Sequence, residues 1–148
     1  IPPLTGLSHL DILDFGVNQL SGSIPDLSGA PLLTGFYASY NRLTGSLPDL
    51  NTLKHLNTFV ADFNQLSGLI PALSGVTVLG NFGVAGNRLT GSIPPLTGLV
   101  YLYAFDVSNN LLTGPLPAPA LAVVARSAPT GFAAPAKHCA RFLTGQDQ

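Results

Sequence analysis

Few side chains in this sequence are suited to covalent or acid–base chemistry. The 148 residues include seven acids, all of them Asp, together with three His and a single Cys. Cys139 has no second Cys to pair with, so an internal disulfide is excluded. His138 is adjacent to it, and neighbours on a strand or loop rarely point at each other, so we interpret Cys139 as a buried thiol rather than a nucleophile.

Two pairs of residues have the types that bind metal ions. Asp26 and Asp49 are separated by 23 residues, and His9 and His55 by twice that interval. If one turn of chain stacks on the next, the His pair lies ~10 Å apart, too far to share a metal without a third ligand. The Asp pair lies ~5 Å apart and could hold a cation weakly, but Asp in surface turns is the favoured interpretation.

No catalytic motif accompanies these residues. The sequence contains no Ser-His-Asp set and no phosphate-binding loop. Because it has no Glu, every pair of general acid and general base that includes a Glu carboxyl group is excluded. We therefore predict a protein that is not an enzyme and uses no cofactor or metal.

The composition is apolar and rich in turn formers. Hydrophobic residues make up 46% of the chain and charged residues only 9%, with 16 Gly, 13 Pro and a net charge of −1. Near-neutrality argues against binding to nucleic acid. No stretch of ~18 apolar residues is present, so we predict no membrane insertion. The apolar residues must therefore be distributed regularly.

A 23-residue repeat provides that regular distribution. Ile-Pro or Leu-Pro begins at Ile1, Ile24, Leu47, Ile70, Ile93 and Leu116. Asn recurs in the same phase at Asn18, Asn41, Asn64, Asn87 and Asn110. The consensus is I-P-x-L-x-x-L-x-x-L-x-x-F-x-V-x-x-N-x-L-[ST]-G-x. In the first repeat Leu13 and Phe15 alternate with the less apolar Asp14 and Gly16, the two-residue period of a short strand. Corresponding strands are predicted to start near Ile12, Gly35, Thr58, Asn81 and Ala104.

This consensus resembles the leucine-rich repeat family, specifically its plant-type class with L-x-x-L-x-L-x-x-N-x-L-[ST]-G-x-I-P. The repeat is one residue shorter than the usual plant form and carries Phe at one Leu position, which resembles repeats of secreted bacterial proteins. The resemblance implies a β-rich α/β solenoid: a right-handed horseshoe with a parallel sheet on its concave side. On the convex side we expect irregular chain, 3₁₀ turns or short strands.

The repeat also predicts the domain organisation. Residues 1–117 divide into five repeats (1–23, 24–46, 47–69, 70–92 and 93–115), and residues 118–148 are expected to form a C-terminal cap. The chain opens inside the consensus without a polar capping element. We therefore expect further N-terminal repeats, another domain or edge-mediated self-association to cover the first repeat.

Outward-facing strand positions are where the repeats differ from one another. Aromatic and apolar side chains cluster on the second and third repeats at Tyr37, Tyr40, Val60 and Phe63. Polar residues surround them at Asp14, Asp62, Asp106 and Arg42. Exposed aromatic residues with a polar rim are typical of interaction hot spots, so these eight residues are the predicted partner-binding site.

The predicted function is a non-enzymatic protein–protein interaction module that takes part in host or cell-surface contact. By family resemblance it is secreted, extracellular or periplasmic. One alternative is an inhibitor of a secreted cell-wall hydrolase, because plant-type repeats include such inhibitors. Another is an ice-binding surface on the hydroxyl column of Ser21, Thr44, Ser67, Thr90 and Thr113, although this column is only one residue wide.

Overall fold

One short strand from each repeat enters a five-stranded parallel sheet. The computed structural model describes residues 1–115 and residue 117. The strands are β1 (Ile12–Asp14), β3 (Gly35–Tyr37), β5 (Thr58–Val60), β7 (Asn81–Gly83) and β9 (Ala104–Asp106), adjacent in that order. Each starts at the residue that the repeat predicts, and paired residues differ by 23 in number throughout. The predicted parallel-sheet solenoid is confirmed, and one 23-residue turn of it is called a coil below.

A second set of short strands follows the repeat Asn residues. They are β2 (Ser21–Ser23), β4 (Arg42–Thr44), β6 (Ser67–Leu69), β8 (Arg88–Gly91) and β10 (Leu111–Leu112). β2 pairs with β4, and β8 lies between β6 and β10 in a separate sheet. Gly in the L-[ST]-G segment takes a left-handed conformation, for example with φ 79° at Gly45, which suits a residue without a Cβ.

The apolar spacing of three residues produces successive tight turns. In the third coil the Leu53 amide donates to the Leu50 carbonyl and the Leu56 amide to the Leu53 carbonyl, at 3.0 and 3.2 Å. All three Leu side chains are fully buried. The side chains of residues i and i+3 align in such turns, so one row of apolar residues faces the core. Within residues 1–115 the chain outside the two sets of strands consists of turns, bends and irregular segments, with no helix among them.

The core consists of columns of identical residues that run through the solenoid. Phe36, Phe59, Phe82 and Phe105 stack with ring centroids 4.9, 5.7 and 5.3 Å apart. These separations are close to the spacing of paired strands, so each ring packs on the next. The first coil has Leu13 in this column, and its side chain is only half-buried.

The repeat Asn residues connect neighbouring coils. Asn64 accepts a hydrogen bond from the Leu43 amide at 2.9 Å and donates to the Ala38 carbonyl of the preceding coil at 2.9 Å. It also donates to the carbonyls of Ala61 and Asp62 in its own coil. Asn41, Asn87 and Asn110 repeat this pattern. The backbone groups left unpaired where each coil turns are thereby satisfied.

Candidate binding surface

The residue before each repeat Asn lies in the left-handed region of backbone space. The φ angles are 53° at Val17, 57° at Tyr40, 52° at Phe63, 64° at Gly86 and 54° at Asn109. These five residues are called the left-handed column below. Gly and Asn adopt this conformation readily, whereas for other L-residues it costs roughly 1–2 kcal/mol. In the first three coils Val17, Tyr40 and Phe63 therefore adopt a backbone conformation that is unfavourable for their residue types.

Backbone hydrogen bonds between coils impose that conformation. The Tyr40 amide donates to the Asp62 carbonyl at 2.9 Å, and the Phe63 amide donates to the Ala85 carbonyl at 2.7 Å. The Val17 side chain is 79% exposed, so packing against the core does not compensate for its strain. Backbone strain that the surrounding structure maintains occurs frequently at functional sites.

Tyr40 and Phe63 form an exposed aromatic ladder. Their ring centroids are 4.7 Å apart with an interplanar angle of 19°, and the side chains are 55% and 46% exposed. On the far side the Phe63 ring covers Gly86, where an added Cβ would lie 2.7 Å from Cδ1 of Phe63. The ladder therefore ends at Phe63, because the next residue of the column, Gly86, has no side chain.

Tyr37 and Val60 extend the apolar surface onto the sheet itself. They pair in register at the ends of β3 and β5. The Tyr37 ring lies over Gly35 of its own strand, and Val60 is partly buried. The outer surface of the main sheet together with the left-handed column is called the sheet face below. It brings together the four predicted aromatic and apolar residues.

The predicted polar rim divides between two regions. Asp14 and Asp106 end β1 and β9 on the sheet face, and Asp62 follows β5. Arg42 lies instead in β4, beyond the left-handed turn, where its guanidinium donates to Oε1 of Gln19 at 3.2 Å. The change of chain direction at Tyr40 and Asn41 separates Arg42 from the sheet. Arg42 therefore belongs to a different sheet from Tyr37 and Val60.

Asp62 has the most perturbed environment of the predicted acids. Burial raises the pKa of its carboxyl group, a hydrogen bond from the Ala85 amide at 2.7 Å opposes this, and the charge of Asp106 adds to the increase. The Asp62 amide itself donates to the Ser39 hydroxyl. The bond from Ala85 holds the carboxyl group in place, and the bond to Ser39 holds the Asp62 backbone.

The other candidate groups have structural roles. Asp26 accepts hydrogen bonds from the Ser28 hydroxyl and amide, which lower the pKa of Asp26, and Asp49 accepts from the Asn51 amide and side chain. This confirms their interpretation as turn residues. Within residues 1–115 no three His, Cys or acidic side chains are arranged to hold a metal ion, and no helix is long and apolar enough to cross a membrane.

The candidate His residues and the hydroxyl column lie on the surface. His9 and His55 are exposed, as predicted. The hydroxyl column is also exposed, and Thr90 donates to the Gly68 carbonyl of the preceding coil. Cys139, His138 and the cap predicted at 118–148 lie outside the described residues.

Sequence reasoning missed the left-handed column, although a signal for it was present. Gly86 and Asn109 occupy the column in the last two coils, and these are the residue types that tolerate positive φ. Because equivalent repeat positions share a backbone, either residue indicates the same conformation at Val17, Tyr40 and Phe63.

Comparison with known proteins identifies the architecture. No family model and no curated protein sequence matches the chain. Solved structures do match: the plant peptide hormone receptor RGFR1 in complex with RGF2 is 37% identical over 76% of this chain, with a TM-score of 0.73. The BIR2 ectodomain from Arabidopsis thaliana is 35% identical over 71% of the chain, with a TM-score of 0.68.

The described chain is a leucine-rich repeat solenoid. It resembles plant receptor ectodomains, including the Arabidopsis receptor kinase HAESA in complex with the peptide hormone IDA and the co-receptor SERK1, at 31% identity over 76% of the chain and a TM-score of 0.71. The expected resemblance to secreted bacterial proteins finds no support in these matches. This leucine-rich repeat chain spans 19% of the RGFR1 chain, 57% of BIR2 and 20% of HAESA. The matched structures of BIR2 and of the receptor kinase SOBIR1 are ectodomains.

Proposed function

We propose that this leucine-rich repeat chain is a non-enzymatic module that binds a protein or peptide on the sheet face, outside the cell. The observation that carries the proposal is the exposed Tyr40–Phe63 ladder, held in a strained backbone conformation. Exposed aromatic side chains of fixed orientation lose little conformational entropy on binding, and Tyr is enriched at interaction hot spots.

The solved structures that it resembles support the same class of function. RGFR1 is in complex with RGF2, and HAESA is in complex with a peptide hormone and a co-receptor. For this chain we infer a polypeptide partner held mainly by Tyr37, Tyr40, Val60 and Phe63. We infer that Asp14, Asp62 and Asp106 contribute polar contacts around it. Host or cell-surface contact is the setting that we propose for such a module.

A peptide-display selection followed by calorimetric titration tests this function. Random linear peptides are selected on the wild-type protein and titrated against the Tyr37→Ala/Tyr40→Ala variant. Loss of one hot-spot side chain costs about 2 kcal/mol, so we expect the variant to bind at least about 30-fold more weakly. Tyr101→Ala is the matched control, because Tyr101 is 64% exposed but precedes the main sheet in its coil.

Equal affinity of the wild type and the double variant would contradict the proposal, provided that both proteins give the same circular dichroism spectrum. An equal loss in the Tyr101→Ala control would also contradict it, because binding would then depend on exposed Tyr residues in general.

A further inference from the structure

Two carboxyl groups flank a glycine beside the aromatic ladder. Asp62 immediately precedes Phe63, and its two carboxyl oxygens lie 3.0 and 3.1 Å from the position that a Cβ on Gly83 would occupy. Gly83 of β7 pairs in register with Asp106 of β9. The Asp62 carboxyl group therefore occupies the space that a side chain at Gly83 would fill, and Asp106 lies on the neighbouring strand.

Each carboxyl group already accepts one backbone hydrogen bond. Oδ1 of Asp62 accepts from the Ala85 amide at 2.7 Å, and Oδ1 of Asp106 accepts from the Ser108 amide at 3.0 Å. These bonds fix both groups in place. In the described part of the chain, neither carboxyl group forms an ion pair with a Lys, Arg or His side chain.

The cations of the described chain lie elsewhere. Arg42 and Arg88 are in β4 and β8, beyond the left-handed turns, and the Lys54 ammonium donates to the carbonyls of Asn51 and Gly75. Asp62 is thus a partly buried acid with a second acid nearby and no cation facing it, and burial and Asp106 both raise the pKa of Asp62. A positive charge supplied by a partner would relieve this repulsion.

We propose that the partner on the sheet face is an extended polypeptide segment that places an apolar side chain against the Tyr40–Phe63 ladder and a Lys or Arg side chain against the carboxyl groups of Asp62 and Asp106. This inference rests on the proposed function. An extended chain advances ~3.3 Å per residue, and Asp62 is adjacent to Phe63 in sequence, so a short segment reaches both features. An Arg side chain fits particularly well, because its planar guanidinium can bond a carboxylate through two N–H groups and pack on an aromatic ring.

Comparison of selected peptide pools tests the inference. Random linear dodecapeptides are selected in parallel on the wild type, on Asp62→Asn/Asp106→Asn and on Asp49→Asn. The amide oxygen of Asn can still accept the bonds from Ala85 and Ser108, so the double variant should fold. Asp49→Asn removes one negative charge outside the sheet face and serves as the control. The measurements are the frequency of Lys and Arg in each pool and the affinity of individual peptides.

We expect Lys and Arg next to an apolar residue to be enriched in the pools from the wild type and Asp49→Asn, but not in the pool from the double variant. A basic peptide selected on the wild type should bind the double variant at least about tenfold more weakly. A peptide with the basic residue replaced by Ala should bind both proteins equally.

The outcomes separate this inference from the proposed function. Peptides that require Tyr37 and Tyr40 but show no basic enrichment, or the same enrichment on the double variant, would overturn the inference and leave the proposed function intact. Peptides whose binding is unaffected by the Tyr37→Ala/Tyr40→Ala change, or a library that yields no binder, would overturn both.

Discussion

The left-handed column is the least expected feature at the scale of single residues. Val17 is β-branched and mostly exposed, yet its φ angle is 53°, the same region that Gly86 and Asn109 occupy in later coils. A β-branched residue in this region is unusual, because its side chain is crowded by the backbone on either side. The backbone hydrogen bonds between coils must therefore compensate for the conformational free energy that Val17 costs in this region.

Replacing Val17 with Asn should stabilise the protein. Asn tolerates the left-handed conformation and occupies the same column at Asn109. We expect the free energy of unfolding in urea to rise by about 1 kcal/mol. Ile12→Asn is the control, because Ile12 is also exposed but lies in β1, where an extended backbone favours β-branched residues. A stability gain of the same size in both variants would contradict the strain account.

The Asp62 carboxyl group should make the stability of the folded protein depend on pH. Because burial raises the pKa of Asp62 in the folded protein, the folded state binds its proton more tightly than the unfolded state. The contribution of Asp62 to stability therefore decreases as pH rises from the ordinary Asp pKa, about 3.9, to the raised folded value. We expect the stability of the wild type relative to Asp62→Asn to fall over this window.

Asp26→Asn should show the opposite trend. Hydrogen bonds from Ser28 lower the pKa of Asp26, so its contribution is present above the ordinary Asp pKa and is lost as pH falls through the lowered folded value. Urea unfolding of the three proteins across acidic pH measures both slopes. Slopes of the same sign for the two variants would contradict the assigned environments.

At the scale of elements, the repeat Asn residues hold neighbouring coils together. Asn64 is buried and connects the second and third coils through both its oxygen and its nitrogen. Asn18 is exposed in the first coil, and its side-chain nitrogen donates only within that coil, to the carbonyls of Phe15 and Gly16. The same residue type at the same repeat position therefore has different energetic importance.

Asn64→Ala should destabilise the protein much more than Asn18→Ala. Removing the Asn64 side chain leaves the buried Leu43 amide without its partner, at roughly 1–3 kcal/mol. It also removes three hydrogen bonds to carbonyls that keep other donors, at roughly 0.5–1.5 kcal/mol each. We expect a loss of about 3 kcal/mol or more for Asn64→Ala and less than about 1 kcal/mol for Asn18→Ala, measured by urea unfolding. Equal losses would show that connections between coils contribute little.

The elements could be predicted from the sequence more completely than the site. The start of every main strand followed from the repeat, because a column of Phe or Leu fixes which strand residue faces the core. That Arg42 lies in a separate sheet was not predicted, because its position depends on the turn at Tyr40, whose residue type disfavours the observed φ angle. The position of the Asp62 carboxyl group over Gly83 depends on contacts between side chain and backbone of neighbouring strands. The spacing of these residues in the sequence does not determine such contacts.

At the scale of the whole molecule, the first coil differs from those that follow. Its core residues Leu10, Leu13 and Leu20 are only partly buried, whereas their counterparts in the second coil are fully buried. The Asn18 oxygen accepts no hydrogen bond within the described residues, whereas the Asn41 oxygen accepts one from the Leu20 amide. The outer side of the first coil therefore has the groups needed to pack against another coil.

Adding a coil should stabilise the whole solenoid. A second copy of residues 24–46 fused ahead of Ile1 recreates the Gly-Ser-Ile-Pro junction found at residues 22–25. Because repeat-protein stability is approximately a sum of coil and interface contributions, we expect a higher Tm and a larger urea m-value. A Gly/Ser segment of equal length is the control, and an equal Tm for the two fusions would contradict this prediction.

The most direct test of the central claim, binding at the sheet face, is amide chemical-shift mapping with a peptide selected on the wild-type protein. The account predicts that the largest changes fall along β3, β5 and β7 and at Tyr40 and Phe63, with little change at Ser21, Thr44, Ser67, Thr90 and Thr113. Changes concentrated on that hydroxyl column, or spread evenly over the solenoid, would contradict it.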